Sequence, residues 1–133
     1  MRRDYTIEKI DRVLNYIEEN IKENITLENI SKDIKLSKFH LNRVFKSITN
    51  EKLMHYVRSR KLTSSLEELI NSDLTVIDIA MEYKFEYEQS YIRSFKKQFR
   101  VSPGIFRKEK PTLEIKHKLN LAYITLTGEQ GML

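Results

Sequence analysis

The stretch YKFEYEQSYIRSFKKQFRVSPGIFR, from Tyr83 to Arg107, combines an apolar stripe, a cationic face and a sharp stop within one short helix. At helical spacing, Tyr91, Phe95 and Phe99 fall on one face. The opposite face collects Gln89, Arg93, Lys96 and Arg100. The apolar face therefore predicts contact with a protein core, and the cationic face suits an anion. A solvated amphipathic helix is the commoner source of such a pattern, so the stretch alone leaves both interpretations open.

Two side chains near the start of this helix suit a nucleic acid. Gln89 and Arg93 lie one turn apart. Glutamine and arginine can make paired hydrogen bonds to the adenine and guanine edges in a DNA major groove. The pattern thus indicates a candidate base-reading helix.

An earlier part of the chain repeats the pattern, and this repeat is the strongest evidence in the sequence. Thr26, Ile30 and Lys35 recur 49 residues later as Thr75, Ile79 and Lys84. Leu41, Arg43, Phe45 and Lys46 recur 50 residues later as Tyr91, Arg93, Phe95 and Lys96. In both copies a short helix, a tight turn and a longer helix with a polar face follow one another. This order is typical of a helix-turn-helix, whose second helix enters the major groove.

Charge is segregated along the chain. The total is only +5, but residues 35–63 carry +7 and residues 84–110 carry +5, while residues 64–83 between them carry −5. A solvated surface usually mixes its charges, so two basic blocks suggest two contacts with a polyanion.

With 133 residues, no cysteine and no membrane-length apolar run, the chain is expected to be a cytoplasmic protein without disulfides.

Helix signals predict an all-α fold of about seven helices. Apolar spacing from Ile7 to Ile21 indicates a first helix over about 6–23 that stops at Asn24. Thr26, Ser37, Thr75 and Ser102 are good N-caps for later helices. We expect a first helix-turn-helix over about 26–49, a linker helix over about 53–70 that is roughly 27 Å long, a second helix-turn-helix over about 75–99 and a last short helix ending near residue 107.

These residues resemble the AraC/XylS family of bacterial transcription regulators, in the branch of MarA, SoxS and Rob. The resemblance covers about residues 6–108. Its most specific parts are SKFHLNRVFK at 37–46, YVRSRKL at 56–62, and IDIAMEYKF with SYIRSFKKQFRVSPGIFR within 77–107. It implies a sequence-specific double-stranded DNA-binding regulator, expected to be an activator, with a DNA-binding domain over 1–110. Because both helix-turn-helix units lie in one chain, we expect it to bind DNA as a monomer with its two recognition helices in adjacent major grooves. It also implies RNA polymerase as a partner, for which the acidic segment 64–83 is a candidate surface.

The resemblance also assigns candidate site residues. The base-reading positions are Phe39, Asn42 and Arg43 in the first unit and Glu88, Gln89, Ser90, Ile92 and Arg93 in the second. Phosphate contacts are expected from Ser37, Lys38, His40, Lys46, Arg58, Arg60, Lys61, Lys96, Lys97 and Arg100. An exposed Phe39 on a polar face suits a thymine methyl group, although it also fits a residue at the rim of the core.

Three departures from the family pattern matter, and they fall at four positions. Lys35 and Lys84 stand where the family usually has glycine in the turn, and Leu66 replaces a small residue in the long helix. The third departure is Glu88, which could accept from cytosine or simply complement the helix dipole. Glu86 beside it weakens attraction to phosphate, so we expect the first unit to read bases more fully than the second.

Residues 111–133 do not belong to the repeat. Alternate apolar positions and β-branched residues predict a strand-like tail, and KLNLAYITLTG resembles the opening strand of a GyrI-like effector domain. The tail is either the start of such a domain in a truncated chain or a segment that packs on the helices. A small-molecule effector is expected only if a longer C-terminal domain exists.

Other functions fit the sequence less well. The three histidines, His40, His55 and His117, are not spaced as metal ligands. The sequence also has no glycine-rich phosphate loop and no paired catalytic nucleophile and general base. We therefore expect no enzymatic activity, no metal ion and no cofactor. The main alternative is a helical protein-interaction module that binds acidic partners. Such a module would not explain why an arginine recurs at both Arg43 and Arg93.

Overall fold

The computed structural model describes the backbone of residues 2–111 and the side chains of residues 5–111. Within this part of the chain there are seven helices and no strand, as predicted for an all-α fold. The helices are α1 (Arg2–Glu19), α2 (Leu27–Ile34), α3 (Lys38–Thr49), α4 (Leu53–Asn71), α5 (Val76–Glu82), α6 (Glu88–Phe99) and α7 (Pro103–Glu109). The predicted strand-like tail, residues 111–133, lies almost wholly outside the described residues.

The prediction for the end of the first helix was wrong. α1 ends at Glu19, not near residue 23. Asn20 closes the last turn because its backbone N–H and its side-chain amide both donate to the carbonyl of Tyr16, at 3.1 and 2.8 Å. Ile21 continues the apolar spacing but leaves the helix and packs against the core of the second unit. Its apolar character serves a tertiary contact and does not extend the helix.

The chain divides into two compact units. Within the described residues, the first contains residues 2–20 together with Ile25–Val57, and the second contains Ile21–Asn24 together with residues 58–111. In the first unit α1, α2 and α3 pack on one another. Fully buried residues of these helices and of the start of α4 include Ile10, Leu14, Ile17, Ile30, Ile34, Leu41, Phe45, Leu53 and Tyr56.

The second unit has its own aromatic core. Tyr91, Phe95 and Phe99 of α6 form a ladder whose successive ring centroids lie 5.8 and 4.7 Å apart, and Phe106 of α7 packs beside Phe95 with a centroid distance of 6.1 Å. The linker helix contributes Leu62, Leu66 and Leu69 to this core, and α5 contributes Ile79 and Ala80. Leu66 is only 7% exposed, so the core accommodates the larger side chain at that position.

The sequence repeat corresponds to a repeated local structure. Thr26 and Thr75 cap α2 and α5 by accepting from the backbone N–H three residues later, and Asp78 completes a capping box with Thr75. α3 and α6 each have 12 residues, and each is followed by a C-cap residue in the left-handed conformation, Asn50 or Arg100. Equivalent signals in the two copies therefore produce equivalent helix-turn-helix units.

The two lysines at the turn positions adopt the backbone conformation that favours glycine. Lys35 has φ 65° and Lys84 has φ 64°. Each conformation is held by backbone hydrogen bonds to the preceding helix, for example from Lys35 N to Ser31 O at 2.8 Å. A side chain with a Cβ atom is strained in this region, by roughly 1 kcal/mol or more. Each tight turn therefore carries a local cost in free energy from backbone strain.

Candidate nucleic-acid interface

α3 separates a buried face from an exposed face. Ser37 caps the helix, its hydroxyl accepting from the N–H of His40 at 3.1 Å. Leu41, Phe45 and Thr49 are buried, which leaves the other side of the helix outward. The outward side carries the three predicted base readers of this unit, which are all exposed: Phe39, Asn42 and Arg43. The cap and the apolar spacing together fix which side chains can reach a partner.

Phe39 is the most exposed large apolar side chain in the described part of the chain, at 75%. The interpretation of Phe39 as a rim residue of the core therefore does not fit its position. The guanidinium carbon of Arg43 lies 5.8 Å from the centroid of the Phe39 ring, one turn away along α3. This cation–π contact orients the arginine beside the ring and leaves much of the aromatic surface uncovered.

A groove of about 620 Å³ lies between α3 and the first turn of α4. Its apolar walls come from Phe39, Leu53 and Met54. The polar lining consists of Asn42, Arg43, Lys46, Ser47 and Lys52. The charged side chains of the groove are therefore all cationic. We call this feature the α3–α4 groove.

α6 also has one buried face and one exposed face, but fewer of its predicted base-reading residues are fully exposed. Tyr91, Phe95 and Phe99 are buried, whereas Gln89 and Arg93 are exposed. The other predicted readers of this unit are only partly exposed: Glu88, Ser90 and Ile92. Ile92 packs against the aromatic core, so its side chain stabilises the second unit and is only partly accessible to a partner.

A buried polar contact fixes α6 against the linker helix within the second unit. The hydroxyls of Ser65 and Tyr91 lie 2.7 Å apart, and the Ser65 hydroxyl also donates to the carbonyl of Leu62. Burial raises the pKa of Tyr91 to about 12, so the phenol stays neutral. Gln98 of α6 adds weaker contacts from its side-chain amide to Ser59 O and Thr63 Oγ1.

Most of the predicted phosphate-contacting cations lie at the surface. His40, Lys46, Arg58, Lys96, Lys97 and Arg100 are exposed, and Arg60 is half-buried. Lys38 is exposed but pairs with Glu28, its Nζ lying 3.1 Å from a carboxylate oxygen. Such an exposed pair is worth little, so Lys38 can exchange Glu28 for a phosphate. The Ser37 hydroxyl accepts from the N–H of His40 as the cap of α3, and its O–H can still donate to a phosphate.

Lys61 does not fit the phosphate-contacting role predicted for it. The residue is 8% exposed, and its ammonium donates to the carbonyls of Ile21 and Glu23 at 2.6 and 2.7 Å. Burial, the largest influence, lowers the pKa of Lys61 to about 8 even though Glu23 favours the charged form. The side chain holds the segment after α1 and is not available to DNA.

The structure also shows two candidate residues that the sequence analysis missed. Lys52 is exposed and lines the α3–α4 groove, directly before α4 begins. Tyr87 is 63% exposed at the N-cap position of α6, where its side chain makes no capping hydrogen bond. Their position just before a helix was the available signal, because side chains at such positions border a helix N-terminus where anions bind.

The described residues contain no group of three or more His, Cys, Asp or Glu side chains that could hold a metal ion. Over the same residues, no helix is both long enough and apolar enough to cross a membrane. The feature that stands out is the pair of polar, cation-bearing faces on α3 and α6.

Comparison with known proteins gives relatives that cover most of the chain. MarA of Salmonella typhimurium, a multiple antibiotic resistance protein, is 37% identical over 80% of this chain and 84% of its own length. The transcriptional activator AarP of Providencia stuartii is 36% identical over 74% of this chain and 73% of its own length. The transcriptional regulator Rob of S. typhimurium is 32% identical over 89% of this chain, which spans 42% of that longer protein.

Solved structures share the fold. The C-terminal domain of AraT, a response regulator from Geobacillus stearothermophilus, has a TM-score of 0.73 at 21% identity, covering 84% of this chain and 93% of that domain. The DNA-binding domain of AdpA, solved with a target DNA, has a TM-score of 0.66 at 19% identity, covering 77% of this chain and 89% of that one.

A family model described as a helix-turn-helix domain matches residues 30–109, which include both recognition helices and the linker helix. The family match, the repeated helix-turn-helix and the identity to MarA, AarP and Rob agree with one another. The chain belongs to the AraC/XylS family of helix-turn-helix transcription regulators, in the branch of MarA and Rob.

Proposed function

We propose that the chain is a sequence-specific regulator of transcription that binds double-stranded DNA and reads bases chiefly with α3. The observation that carries this proposal is the division of α3. One face is locked into the core by Leu41 and Phe45, while the other presents Phe39, Asn42 and Arg43 to solvent. These three residue types match a thymine methyl, an adenine edge and a guanine edge.

The second unit supplies a second contact. α6 presents Gln89 and Arg93 from a helix that is anchored by its own aromatic core. Both units lie in one chain and are joined by the 19-residue helix α4. We therefore propose that a single molecule places its two recognition helices in adjacent major grooves and binds as a monomer.

The two helices should not contribute equally to specificity. Arg43 has Phe39, Asn42 and Lys46 on its side of α3, and none of them is acidic. Arg93 lies on a helix that begins with Glu88, and Glu86 precedes it. Carboxylates near the start of α6 repel phosphate but complement the helix dipole. We assign most base reading to the first unit and a larger share of general affinity to the second.

Phosphate contacts should come from the exposed cations around both helices. We assign them to the hydroxyl of Ser37 and to the side chains of Lys38, His40, Lys46, Arg58, Arg60, Lys96, Lys97 and Arg100, and we add Lys52 and omit Lys61. Neutralising phosphates releases counterions, so these contacts supply affinity that depends on salt and not on sequence. Different side chains thereby position the protein on the DNA backbone and read the bases.

We further propose that the regulator is an activator and that its acidic segment, residues 64–83, contacts RNA polymerase. AarP is named an activator, and segment 64–83 here has five acidic and no basic residues. Ile77 and Met81 lie one turn apart on α5 and are 47% and 54% exposed. Each of these two residues is followed in the sequence by a carboxylate, Asp78 or Glu82, and an apolar pair in an acidic segment suits a basic protein surface. A regulator of bacterial promoters acts in the cytoplasm, where the chromosome is.

A protein-interaction module without DNA binding is not favoured. It offers no reason for a second copy of the same helix-turn-helix, and two of the relatives, AarP and Rob, are named as a transcriptional activator and a transcriptional regulator. The family is one of DNA-binding regulators and not of enzymes. No cofactor is part of the proposal.

Selection of bound duplexes from a random DNA pool tests the proposal most simply. A shared sequence should emerge, and sedimentation of the complex on that sequence should give one protein molecule per site at low protein excess. Recovery of an unenriched pool would overturn sequence-specific binding. Complexes that always contain two protein molecules would overturn the monomeric mode alone.

A further inference from the structure

The α3–α4 groove has the size of a small-molecule site. Its volume of about 620 Å³ lies within the range of roughly 300 to 1,000 Å³ that is usual for pockets that bind organic ligands. Phe39 and Met54 bring a flat ring and a flexible thioether to its walls, and buried Leu53 forms part of its base. An aromatic ring and a methionine are surfaces that adapt well to apolar ligands.

The charges around the groove select the kind of ligand. Arg43, Lys46 and Lys52 are exposed cations, and no carboxylate lines the groove. The remaining polar lining is Asn42 and Ser47, which can donate hydrogen bonds. A cation would meet three like charges here, whereas a carboxylate or sulfonate would meet three opposite ones.

We propose that the α3–α4 groove binds an amphipathic organic anion, a molecule with an apolar body and one carboxylate or sulfonate group. The body would cover Phe39 and Met54, and the anionic group would lie between Lys46 and Lys52. Because the burial of apolar area is favourable, covering these side chains supplies most of the affinity. The cations then fix the orientation of the ligand.

The consequence for regulation rests on the proposed function. Phe39, Asn42 and Arg43 line the groove and are also the proposed base readers. A bound anion would occupy their outward surfaces, so anion and DNA would exclude each other. The groove is thereby a site at which an amphipathic metabolite releases the regulator from DNA.

The anion 8-anilinonaphthalene-1-sulfonate is a suitable probe, with N-phenyl-1-naphthylamine as a control that has the same rings and no sulfonate. Amide chemical shifts of the folded protein locate each probe. The proposal predicts saturable binding of the sulfonate with shifts confined to residues around the groove, and weaker binding of the neutral amine. Equal affinity of the two probes, or shifts spread over the exposed apolar residues of both units, would overturn it.

Matched variants test the location independently. Met54→Asp places a carboxylate in the groove near the start of α4, where an acidic residue favours the helix, so the fold should persist. Sulfonate affinity should fall by about tenfold or more through lost apolar area and charge repulsion. Ile105→Asp, at a 44% exposed apolar residue near the start of α7, should leave it unchanged. An equal loss in both variants contradicts a groove site, and so does no loss in Met54→Asp.

Competition with a selected duplex separates this proposal from the proposed function. Mutual displacement of duplex and sulfonate supports both. Simultaneous binding of the two ligands, with the sulfonate still in the groove, overturns the regulatory consequence. Failure to bind any duplex, with the sulfonate still in the groove, overturns the proposed function and leaves the anion site intact. Duplex binding without sulfonate in the groove overturns the anion site alone.

Discussion

The guanidinium of Arg43 lies over the ring of Phe39, with its central carbon 5.8 Å from the ring centroid. Both side chains are exposed, and such a contact contributes about 0.5–1 kcal/mol. This is enough to favour one orientation of Arg43 while Phe39 stays 75% exposed. α3 therefore presents an oriented cation beside an uncovered aromatic ring, and the proposed base reading by the first unit depends on this arrangement.

The strained turn lysines predict stabilising substitutions. Lys35→Gly or Lys84→Gly should raise the free energy of unfolding by about 0.5–1 kcal/mol, because glycine adopts φ near 65° without steric strain, which outweighs its greater freedom in the unfolded chain. Lys32→Gly, at an exposed position within α2, is the control and should lower stability by a similar amount. Chemical denaturation measures all three. Destabilisation by both turn substitutions would show that the lysine side chains make favourable contacts that offset the strain.

The buried ammonium of Lys61 predicts a specific dependence of stability on pH. Its pKa is lowered to about 8 in the folded protein from 10.5. Between these values the unfolded chain binds a proton that the folded protein releases, so folding becomes more favourable as the pH rises. The stability of wild type relative to Lys61→Met should therefore increase between pH 8 and pH 10, by an amount on the order of 2 kcal/mol. Denaturation at both pH values tests this, and a constant or decreasing difference would contradict it.

Much of the fold could be predicted because its signals are local. Thr26, Ser37, Thr75 and Ser102 cap the helices that follow them, each through its own side chain. The apolar spacing of α3 and α6 likewise predicted which side chains are buried and which are exposed. The family glycine positions predicted tight turns, and the structure gives both lysines there a left-handed backbone.

The parts that the sequence did not reveal depend on contacts between distant residues. Ile21 has the spacing of a helical residue, but its contact with the second core places it after the end of α1. Lys61 resembles a surface cation until its two carbonyl partners, 38 and 40 residues earlier, are seen. The α3–α4 groove arises only when Phe39 and Met54 are brought together, and no sequence pattern joins them.

Salt dependence measures the electrostatic part of DNA binding. With about 6 to 10 phosphate contacts, affinity for the selected duplex should fall by roughly 10³ to 10⁵ between 50 and 200 mM salt. Lys46→Gln should reduce the slope of log affinity against log salt by about 1. Lys32→Gln, on the exposed side of α2, should leave the slope unchanged. A nearly flat dependence for wild type would favour a protein partner over DNA.

The exposed pair on α5 predicts a defect in activation that is separate from DNA binding. Ile77→Ala with Met81→Ala should lower transcription stimulated by the purified protein and RNA polymerase on the order of fivefold, through lost apolar contact. DNA affinity should not change, because neither residue belongs to the proposed reading faces. Ile105→Ala, at an exposed apolar residue of α7, is the matched control. Equal transcription from the double variant and wild type would exclude this surface as the polymerase contact.

The two recurrent arginines test base reading by α3 most directly. Each of Arg43→Ala and Arg93→Ala is measured on the selected duplex and on a scrambled duplex at one salt concentration. Arg43→Ala should narrow the difference in binding free energy between the two duplexes by about 1–3 kcal/mol, because a base contact is lost. Arg93→Ala should weaken binding to both duplexes more evenly. If Arg93→Ala erodes specificity as much as Arg43→Ala does, or if Arg43→Ala leaves specificity intact, then α3 is not the principal reader of the sequence.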